Sequence, residues 1–229
     1  MSPSVSVIIP VFNGARHIGT AIKSALDQTL HIHEIIVVDD GSTDNTNEVI
    51  ADFASVTYIF QENQRQGPAR NRGAAESSGT YIAFLDADDR WLPDKLAKQH
   101  EYLEAHPEDG FVTCHFTPEL IETDQWPANL RKEYYLSNPP AYFPSGLFVR
   151  RSVFEQVGPF IKEHSEDSDW FFRARDIGVT HGIIPKVLMI KGIRPDADTR
   201  ATNSIHSQLL RHLRASLRRR SNEGDDHEL

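Results

Sequence analysis

The chain has 229 residues, of which 39% are hydrophobic and 25% are charged, so it is long enough for one large globular domain or two small ones. Its net charge of −9 argues against nucleic acid as a partner. The single cysteine, Cys114, excludes an intramolecular disulfide and a cysteine-rich zinc site. Because there is no basic leader and no apolar run of roughly 18 residues, we expect a cytoplasmic protein.

The first half of the chain alternates apolar, β-branched runs with segments that have apolar residues at helical spacing. The runs predict strands at 5–11, 34–38, 56–60 and 81–85, and the spacing predicts helices at 18–26, 43–53 and 69–77. Short connections in this order predict an α/β fold, with a largely parallel, Rossmann-like sheet between helices. In such a sheet the functional site lies at the C-terminal ends of the strands.

Carboxylates follow two of these strands. Asp40 comes after the second, and Asp86, Asp88 and Asp89 come after the fourth. Side chains alternate along an extended backbone, so Asp86 and Asp88 face the same way. Clustered carboxylates suit Mg²⁺ or Mn²⁺ shared with substrate phosphates, but they are equally typical of a turn or a helix N-terminus. The cluster alone favours neither interpretation.

The second half is less regular. It predicts helices at 94–105 and 151–157, a helix opened by Ser165, and strands at 110–116, 145–149 and 182–190. Residues 118–144 are rich in proline, charge and aromatics and predict a long surface or lid-like segment.

The C-terminal residues, 204–229, predict a helix with leucines and arginines followed by an acidic tail. This helix has two interpretations, a packed helix with a solvated basic face or a peripheral contact with an anionic membrane surface.

Four segments in the first half occur in an order and spacing that closely resemble the family 2 glycosyltransferases. They are 5–14 (VSVIIPVFNG), 37–44 (VVDDGSTD), 69–73 (ARNRG) and 84–89 (FLDADD). Two later segments, 146–154 (GLFVRRSVF) and 166–170 (EDSDW), look like acceptor-side elements of the same family. The resemblance covers about residues 4 to 190 and implies the GT-A fold, with inverting transfer from a nucleotide-sugar donor.

The resemblance also implies a division of the chain. The implied parts are a nucleotide-sugar-binding half at 1–116, an acceptor-binding and catalytic half at 117–203, and the C-terminal helix and tail. The acceptor is an unknown glycan, lipid-linked molecule or small molecule.

On the donor side, the resemblance implies that Asp40 accepts the imide N–H of uracil, although a turn or helix cap is the alternative. Pro10, Val11 and Phe12 would line the base site. Arg70 would approach the diphosphate or pair with the acidic cluster, or it forms a surface ion pair.

The resemblance also implies a different role for each of the three carboxylates that follow the fourth strand. Asp88 is the implied metal ligand, and Asp86 is its metal- or ribose-facing partner. Asp89 would ligate through water or cap a helix. The metal, Mn²⁺ or Mg²⁺, would stabilise the departing nucleoside diphosphate.

On the acceptor side, the resemblance makes Asp167 the general base that takes the acceptor hydroxyl's proton. Glu166 and Trp170 are expected at the substrate. The alternatives are a capping pair for Glu166 and Asp167, and core packing for Trp170.

One feature departs from many relatives, which carry a histidine after the last strand. Here Lys191 or Arg194 would supply positive charge instead. Two other functions stay open at this point, a sugar nucleotidyltransferase and a non-catalytic nucleotide-sugar-binding subunit.

Overall fold

The computed structural model describes residues 4–163, 165–195 and 216. Within 4–195 the described strands form one eight-stranded sheet. They are β1 (Val5–Val11), β2 (Glu34–Asp39), β3 (Val56–Phe60), β4 (Tyr81–Phe84), β5 (Arg90–Trp91), β6 (Asp109–Leu120), β7 (Phe148–Arg150) and β8 (Thr180–Ile193). The α-helices are α1 (Ile18–Leu26), α2 (Thr46–Ala51), α3 (Gln66–Glu76), α4 (Lys95–Ala105), α5 (Lys132–Leu136), α6 (Arg151–Val157) and α7 (Glu166–Asp176).

The sheet has the strand order β3-β2-β1-β4-β7-β6-β8-β5. The first four of these strands are parallel, as predicted, and so is the pair of β6 and β8. Strand β7 runs antiparallel to both β4 and β6, and β5 runs antiparallel to β8. The predicted α/β fold class is confirmed, and the sheet is mixed.

Helices cover both faces of the sheet, because β1 presents apolar residues in both directions. Val7 and Ile9 belong to a core cluster that includes Ile22 of α1, whereas Ile8 belongs to a second cluster with Ala74 of α3. This is the alternation expected of a strand that is buried on both sides. Nearly continuous β-branched sequence therefore gives a strand at the centre of the molecule.

Strands β6 and β8 extend beyond the predicted limits, because they pair with each other along most of their length. As a result, the segment predicted to begin at 118 starts as part of β6, and α5 follows within it. The predicted strand at 145–149 is shifted. Pro144–Gly146 forms a short 3-10 turn, and β7 begins at Phe148.

A lysine lies in the main core. Lys95, at the start of α4, is fully buried, its Nζ donates to Oε1 of Gln99 at 2.7 Å, and it lies 4.2 Å from the centre of the Trp91 ring. Burial lowers the pKa of Lys95 to about 8. The neighbouring thiol of Cys114 is also buried, which raises its pKa to about 11.

The predicted C-terminal helix and acidic tail lie outside the described residues, except for Ser216. Ser216 is helical and buried, and its hydroxyl accepts a hydrogen bond from Arg175 and donates one to Asp176, both at 2.7 Å. Among the residues that the structure describes, no helix has the length and apolar character to cross a membrane.

Candidate active site

A cleft of about 660 Å³ lies at the C-terminal ends of β1, β2 and β4. It brings together the site residues predicted from the sequence, apart from Trp170. They are Pro10, Val11, Phe12, Asp40, Arg70, Asp86, Asp88, Glu166 and Asp167. The topology explains this, because the ends of neighbouring parallel strands share one edge of the sheet.

The three carboxylates after β4 gather in a turn in which the backbone N–H of Asp89 donates to the carbonyl of Asp86 at 3.0 Å. One oxygen from each of Asp86, Asp88 and Asp89 lies within 4.8 Å of the others. The Asp86 and Asp88 side chains are 17% and 20% exposed, and that of Asp89 is fully buried. An all-oxygen donor set of this kind fits Mg²⁺ or Mn²⁺, with Asp86 and Asp88 on the open side.

The end of β8 brings two cations to this cluster. Nζ of Lys191 lies 3.0 Å from Oδ1 of Asp89 and 3.7 Å from Oδ2 of Asp86, and Nε of Arg194 lies 3.2 Å from Oδ2 of Asp88. These contacts agree with the expectation that Lys191 and Arg194 supply positive charge.

A glycine allows this close approach of β8. The backbone N–H of Gly192 donates to Oδ1 of Asp89 at 3.0 Å, and a Cβ at this position would collide with the carbonyl oxygen of Asp88. Any larger residue would push β8 away from the carboxylates. Asp89 thus anchors β8, a role that the sequence did not predict.

The charges of Asp86 and Lys191 stabilise each other, whereas burial, followed by the charges of Asp88 and Asp86, raises the pKa of Asp89 to about 7. Burial acts to raise the pKa of Asp86, but the adjacent Arg70 and Lys191 outweigh it and hold that pKa below its usual value. Burial acts to lower the pKa of Lys191, but Asp89, Asp88 and Asp86 outweigh it and hold that pKa above its usual value. Asp86 is therefore a carboxylate and Lys191 an ammonium at neutral pH.

Arg70 connects the acidic cluster to α7. Its guanidinium is 1% exposed and lies 2.6 Å from Oδ1 of Asp86 and 2.7 Å from Oε1 of Glu166, and it also donates to Gln66 at 2.8 Å. The two carboxylates outweigh the effect of burial and raise the pKa of Arg70 above its usual value. Of the sequence alternatives for Arg70, the structure shows pairing with the acidic cluster, in a buried rather than a surface position.

Asp40 is held by the protein through both carboxylate oxygens. Oδ1 accepts hydrogen bonds from the Gln61 side chain at 2.7 Å and from the backbone N–H of Gln64 at 2.8 Å, and Oδ2 accepts one from the backbone N–H of Arg65 at 2.7 Å. A carboxylate oxygen accepts two hydrogen bonds, so Oδ2 keeps capacity for a ligand donor. Phe12, half exposed, lines the same cleft.

Asp167 lies in the first turn of α7, where the helix dipole favours negative charge. Its Oδ1 accepts a hydrogen bond from the backbone N–H of Ser168 at 2.6 Å. Burial, together with the neighbouring charge of Glu166, nevertheless raises the pKa of Asp167 to about 6. Asp167 is thus a carboxylate at neutral pH that is more basic than an ordinary aspartate.

Trp170 does not line the cleft, which corrects the prediction that placed it at the substrate. It is fully buried in the second core cluster, packs edge-on against Phe111, and donates from Nε1 to the carbonyl of Gly158 at 3.2 Å. Glu166 and Asp167 lie in the first turn of α7 and line the cleft, whereas Trp170, one turn further along the same side of the helix, packs into the core. Core packing, the alternative, is what the structure shows.

The cleft also has lining residues that the sequence reasoning did not assign. Tyr135 and Phe143 come from the 118–144 segment, Glu163 precedes α7, and His17 follows β1. Nε2 of His17 lies 3.1 Å from Oε1 of Glu122. These residues lie in irregular connections where periodicity carries no signal, and the concentration of aromatics in 118–144 was the available cue.

Most of the chain is similar to known glycosyltransferases. The family model described as glycosyl transferase family 2 matches residues 6–160. An uncharacterized glycosyltransferase of Rickettsia typhi is 41% identical over 229 aligned residues, which cover 91% of this chain and 69% of that protein. An uncharacterized glycosyltransferase of Nostoc sp. is 48% identical over 176 residues, which cover 68% of this chain and 53% of that protein. The chain thus spans about half the length of the Nostoc relative.

Solved structures with the same fold include two nucleotide complexes. Staphylococcus aureus TarS 1-349 in complex with UDP gives a TM-score of 0.71 at 17% identity, covering 93% of this chain and 65% of that one. The mannosyltransferase PcManGT of Pyrobaculum calidifontis, in complex with GDP-Man and Mn²⁺, gives a TM-score of 0.72 at 22% identity, covering 95% and 65%. The arrangement of sheet, helices and cleft is therefore that of the GT-A class of glycosyltransferase domains. Within that class, the chain belongs to glycosyl transferase family 2.

Proposed function

We propose that this domain transfers a sugar, with inversion, from a nucleoside diphosphate sugar to an acceptor hydroxyl. The observation that carries this proposal is the single cleft that holds the Asp86 and Asp88 carboxylates at one part of its wall and Asp167 at another. One part suits a metal–diphosphate and the other suits a general base. The donor half would comprise residues 1–116, and the acceptor half residues 117–203.

A uracil nucleotide is the donor that the base site suits best. Oδ2 of Asp40 has capacity for one more donor, which matches the imide N–H of uracil, whereas cytosine offers an acceptor at that position. Phe12 provides an exposed ring beside Pro10 and Val11 for the base and ribose. The same fold occurs in a UDP complex and in a GDP-Man complex, so the choice of uracil rests on Asp40.

A divalent metal is part of the proposal, since Asp86 and Asp88 would hold it. When bound, Mn²⁺ or Mg²⁺ neutralises the negative charge of the departing nucleoside diphosphate. The Mn²⁺ complex of PcManGT and the carboxylate oxygens that lie within 4.8 Å of one another support this assignment.

Asp167 would act as the general base. In inverting transfer a carboxylate on the face opposite the leaving group takes the acceptor hydroxyl's proton as its oxygen attacks the anomeric carbon. The raised pKa of Asp167, about 6, increases its driving force for taking that proton while leaving it ionised at neutral pH. Glu166 would hold Asp167 in place through the start of α7, because its own carboxylate is fixed by Arg70.

The acceptor would enter beside Tyr135 and Phe143, which offer aromatic surface in the same cleft as Asp167. A sugar ring stacks on such surface, so a glycan, a lipid-linked sugar or a small-molecule alcohol all fit the proposal. A cytoplasmic location and peripheral membrane contact through the basic C-terminal helix stay predictions.

The first experiment measures transfer or donor hydrolysis with a panel of UDP-sugars and Mn²⁺, for the wild type and the Asp88→Asn and Asp167→Asn variants. We expect kcat/KM to fall about 10²- to 10⁴-fold in each variant. Asp88→Asn removes a ligand of the proposed metal, and Asp167→Asn removes the proposed general base. Product anomeric configuration, read by NMR, should be inverted.

The control is Asp52→Asn, an identical change at an exposed residue after α2, which should leave activity unchanged. Full transfer activity in both site variants would refute the mechanism. Binding of CDP as tight as that of UDP would refute the role of Asp40.

A further inference from the structure

We propose that Arg194 exchanges partners during donor binding, releasing Asp88 to the metal ion and taking the diphosphate instead. The consequence is that Arg194 competes with the metal when no nucleotide is bound and assists the nucleotide when the metal is present. This inference rests on the proposed function and assigns Arg194 a role within that site.

Arg194 holds an atom that the metal would also use. Its Nε lies 3.2 Å from Oδ2 of Asp88, the carboxylate on the open side of the cluster. A divalent ion held by Asp88 would bring a second positive charge to the carboxylate that Arg194 already contacts, and like charges repel strongly in a partly buried site. Arg194 and the metal are therefore expected to oppose each other at Asp88.

Arg194 is free to move in a way that its neighbour Lys191 is not. Lys191 contacts both oxygens of the buried Asp89, at 3.0 and 3.1 Å, and its side chain is 23% exposed. The Arg194 side chain is 39% exposed and follows the last residue of β8, Ile193. Moving Lys191 would leave a buried carboxylate uncompensated, whereas moving Arg194 exposes the partly solvated Asp88.

The diphosphate gives Arg194 a better partner than Asp88. A guanidinium binds phosphate oxygens through two parallel N–H donors, and here it lines the same cleft as Asp86 and Asp88. When the metal binds Asp88, Arg194 loses that partner and can bind the diphosphate. When the diphosphate binds Arg194, Asp88 is released for the metal. Metal and nucleotide should therefore bind cooperatively, with the same coupling factor in both orders of addition.

The test uses the full chain and isothermal titration calorimetry with Mn²⁺ alone, with UDP alone and with UDP at saturating Mn²⁺. The variants are Arg194→Gln, which removes the charge, and Arg194→Lys, which keeps it. We expect Arg194→Gln to bind Mn²⁺ alone about threefold tighter, because a partly exposed ion pair no longer competes. We expect the same variant to bind UDP in the presence of Mn²⁺ about tenfold more weakly, because a charge-assisted contact is lost.

The matched control is Arg72→Gln, which breaks an exposed ion pair with Glu76 outside the cleft and should move neither constant. Arg194→Lys should lie between the wild type and Arg194→Gln in both constants. Equal thermal unfolding midpoints for all variants would exclude a folding defect.

Two results would overturn the inference. If Arg194→Gln weakened Mn²⁺ binding as well as UDP binding, Arg194 would support the metal site rather than compete for it. If Arg194→Gln matched Arg72→Gln, Arg194 would have no part in donor binding. By contrast, a wild type that binds Mn²⁺ but no nucleoside diphosphate would refute the proposed function itself, whatever Arg194 does.

Discussion

The basicity of Asp167 makes a pH dependence testable. Burial, followed by the charge of Glu166, raises its pKa to about 6, and a general base works only when it is deprotonated. As pH rises through about 6 the active fraction rises, so kcat/KM should increase about tenfold per pH unit below that value and level off above it. A steady-state profile at saturating metal and fixed ionic strength would measure this.

The control for this profile is Asp167→Asn. The residual kcat/KM of this variant should not rise with pH in the range below about 6. If kcat/KM of the wild type levelled off already near pH 4, the range of an ordinary carboxyl group, another residue would be responsible for the pH dependence.

Residues that end strands were predictable, and residues in irregular connections were not. The positions of Asp86, Asp88 and Asp40 at the cleft follow from the apolar strands that precede them, but Asp86 and Asp88 lie in a turn and not on the extended backbone that was predicted. Two failures show the limit of this reasoning. Trp170 could be assigned to the cleft or the core only by knowing how far α7 extends from the cleft into the core, and Tyr135 lies in a segment without periodicity.

Among the elements, α3 and α7 are joined by one buried arginine. Arg70 lies between Asp86, which follows β4, and Glu166, which begins α7. Replacing it with methionine keeps an unbranched apolar stem but removes the guanidinium that Asp86 and Glu166 share. We expect Arg70→Met to lower the free energy of unfolding by about 3–5 kcal/mol in urea denaturation, as for other buried ion pairs that lose one partner.

The matched control lies two residues along the same helix. Arg72→Met removes an exposed pair with Glu76 and should change the free energy of unfolding by about 0.5 kcal/mol or less. Equal losses in the two variants would show that the buried contacts of Arg70 contribute nothing beyond those of a surface residue.

Most strands and helices of the first half were predictable, because apolar residues at the spacing of a strand or a helix stand between turn residues. Strand order and direction in the second half were not, because they depend on pairing between distant segments. Strand β7, for example, lies between β4 and β6 and is antiparallel to both. Nothing in its local pattern distinguishes that arrangement from a parallel one.

For the molecule as a whole, the buried Lys95 predicts a dependence of stability on pH. Its pKa falls from 10.5 to about 8 in the folded state because it is buried. Between these values the unfolded chain holds a proton that the folded chain has released, so unfolding takes up a proton and the free energy of unfolding rises with pH. We expect the wild type to gain up to about 3 kcal/mol relative to Lys95→Met between pH 7 and pH 10.

Urea denaturation at several pH values would measure this difference, and the subtraction cancels the contributions of tyrosines that titrate in the same range. Lys98→Met, a partly exposed lysine on the same helix, should leave the pH dependence of the wild type intact. A Lys95→Met variant with the same pH dependence as the wild type would show that Lys95 keeps its ordinary pKa.

The buried contacts of Arg70 also bear on how the domain moves. One sheet runs through both halves of the chain, and Arg70 ties the donor wall of the cleft to the helix that carries Asp167. A hinge motion that separated the two halves would break the buried ion pairs of Arg70 with Asp86 and Glu166, at a cost of several kcal/mol. Under the proposed function, substrate entry and product exit would therefore rely on smaller motions of side chains such as Arg194, while the frame that sets the distance from Asp86 to Asp167 stays rigid.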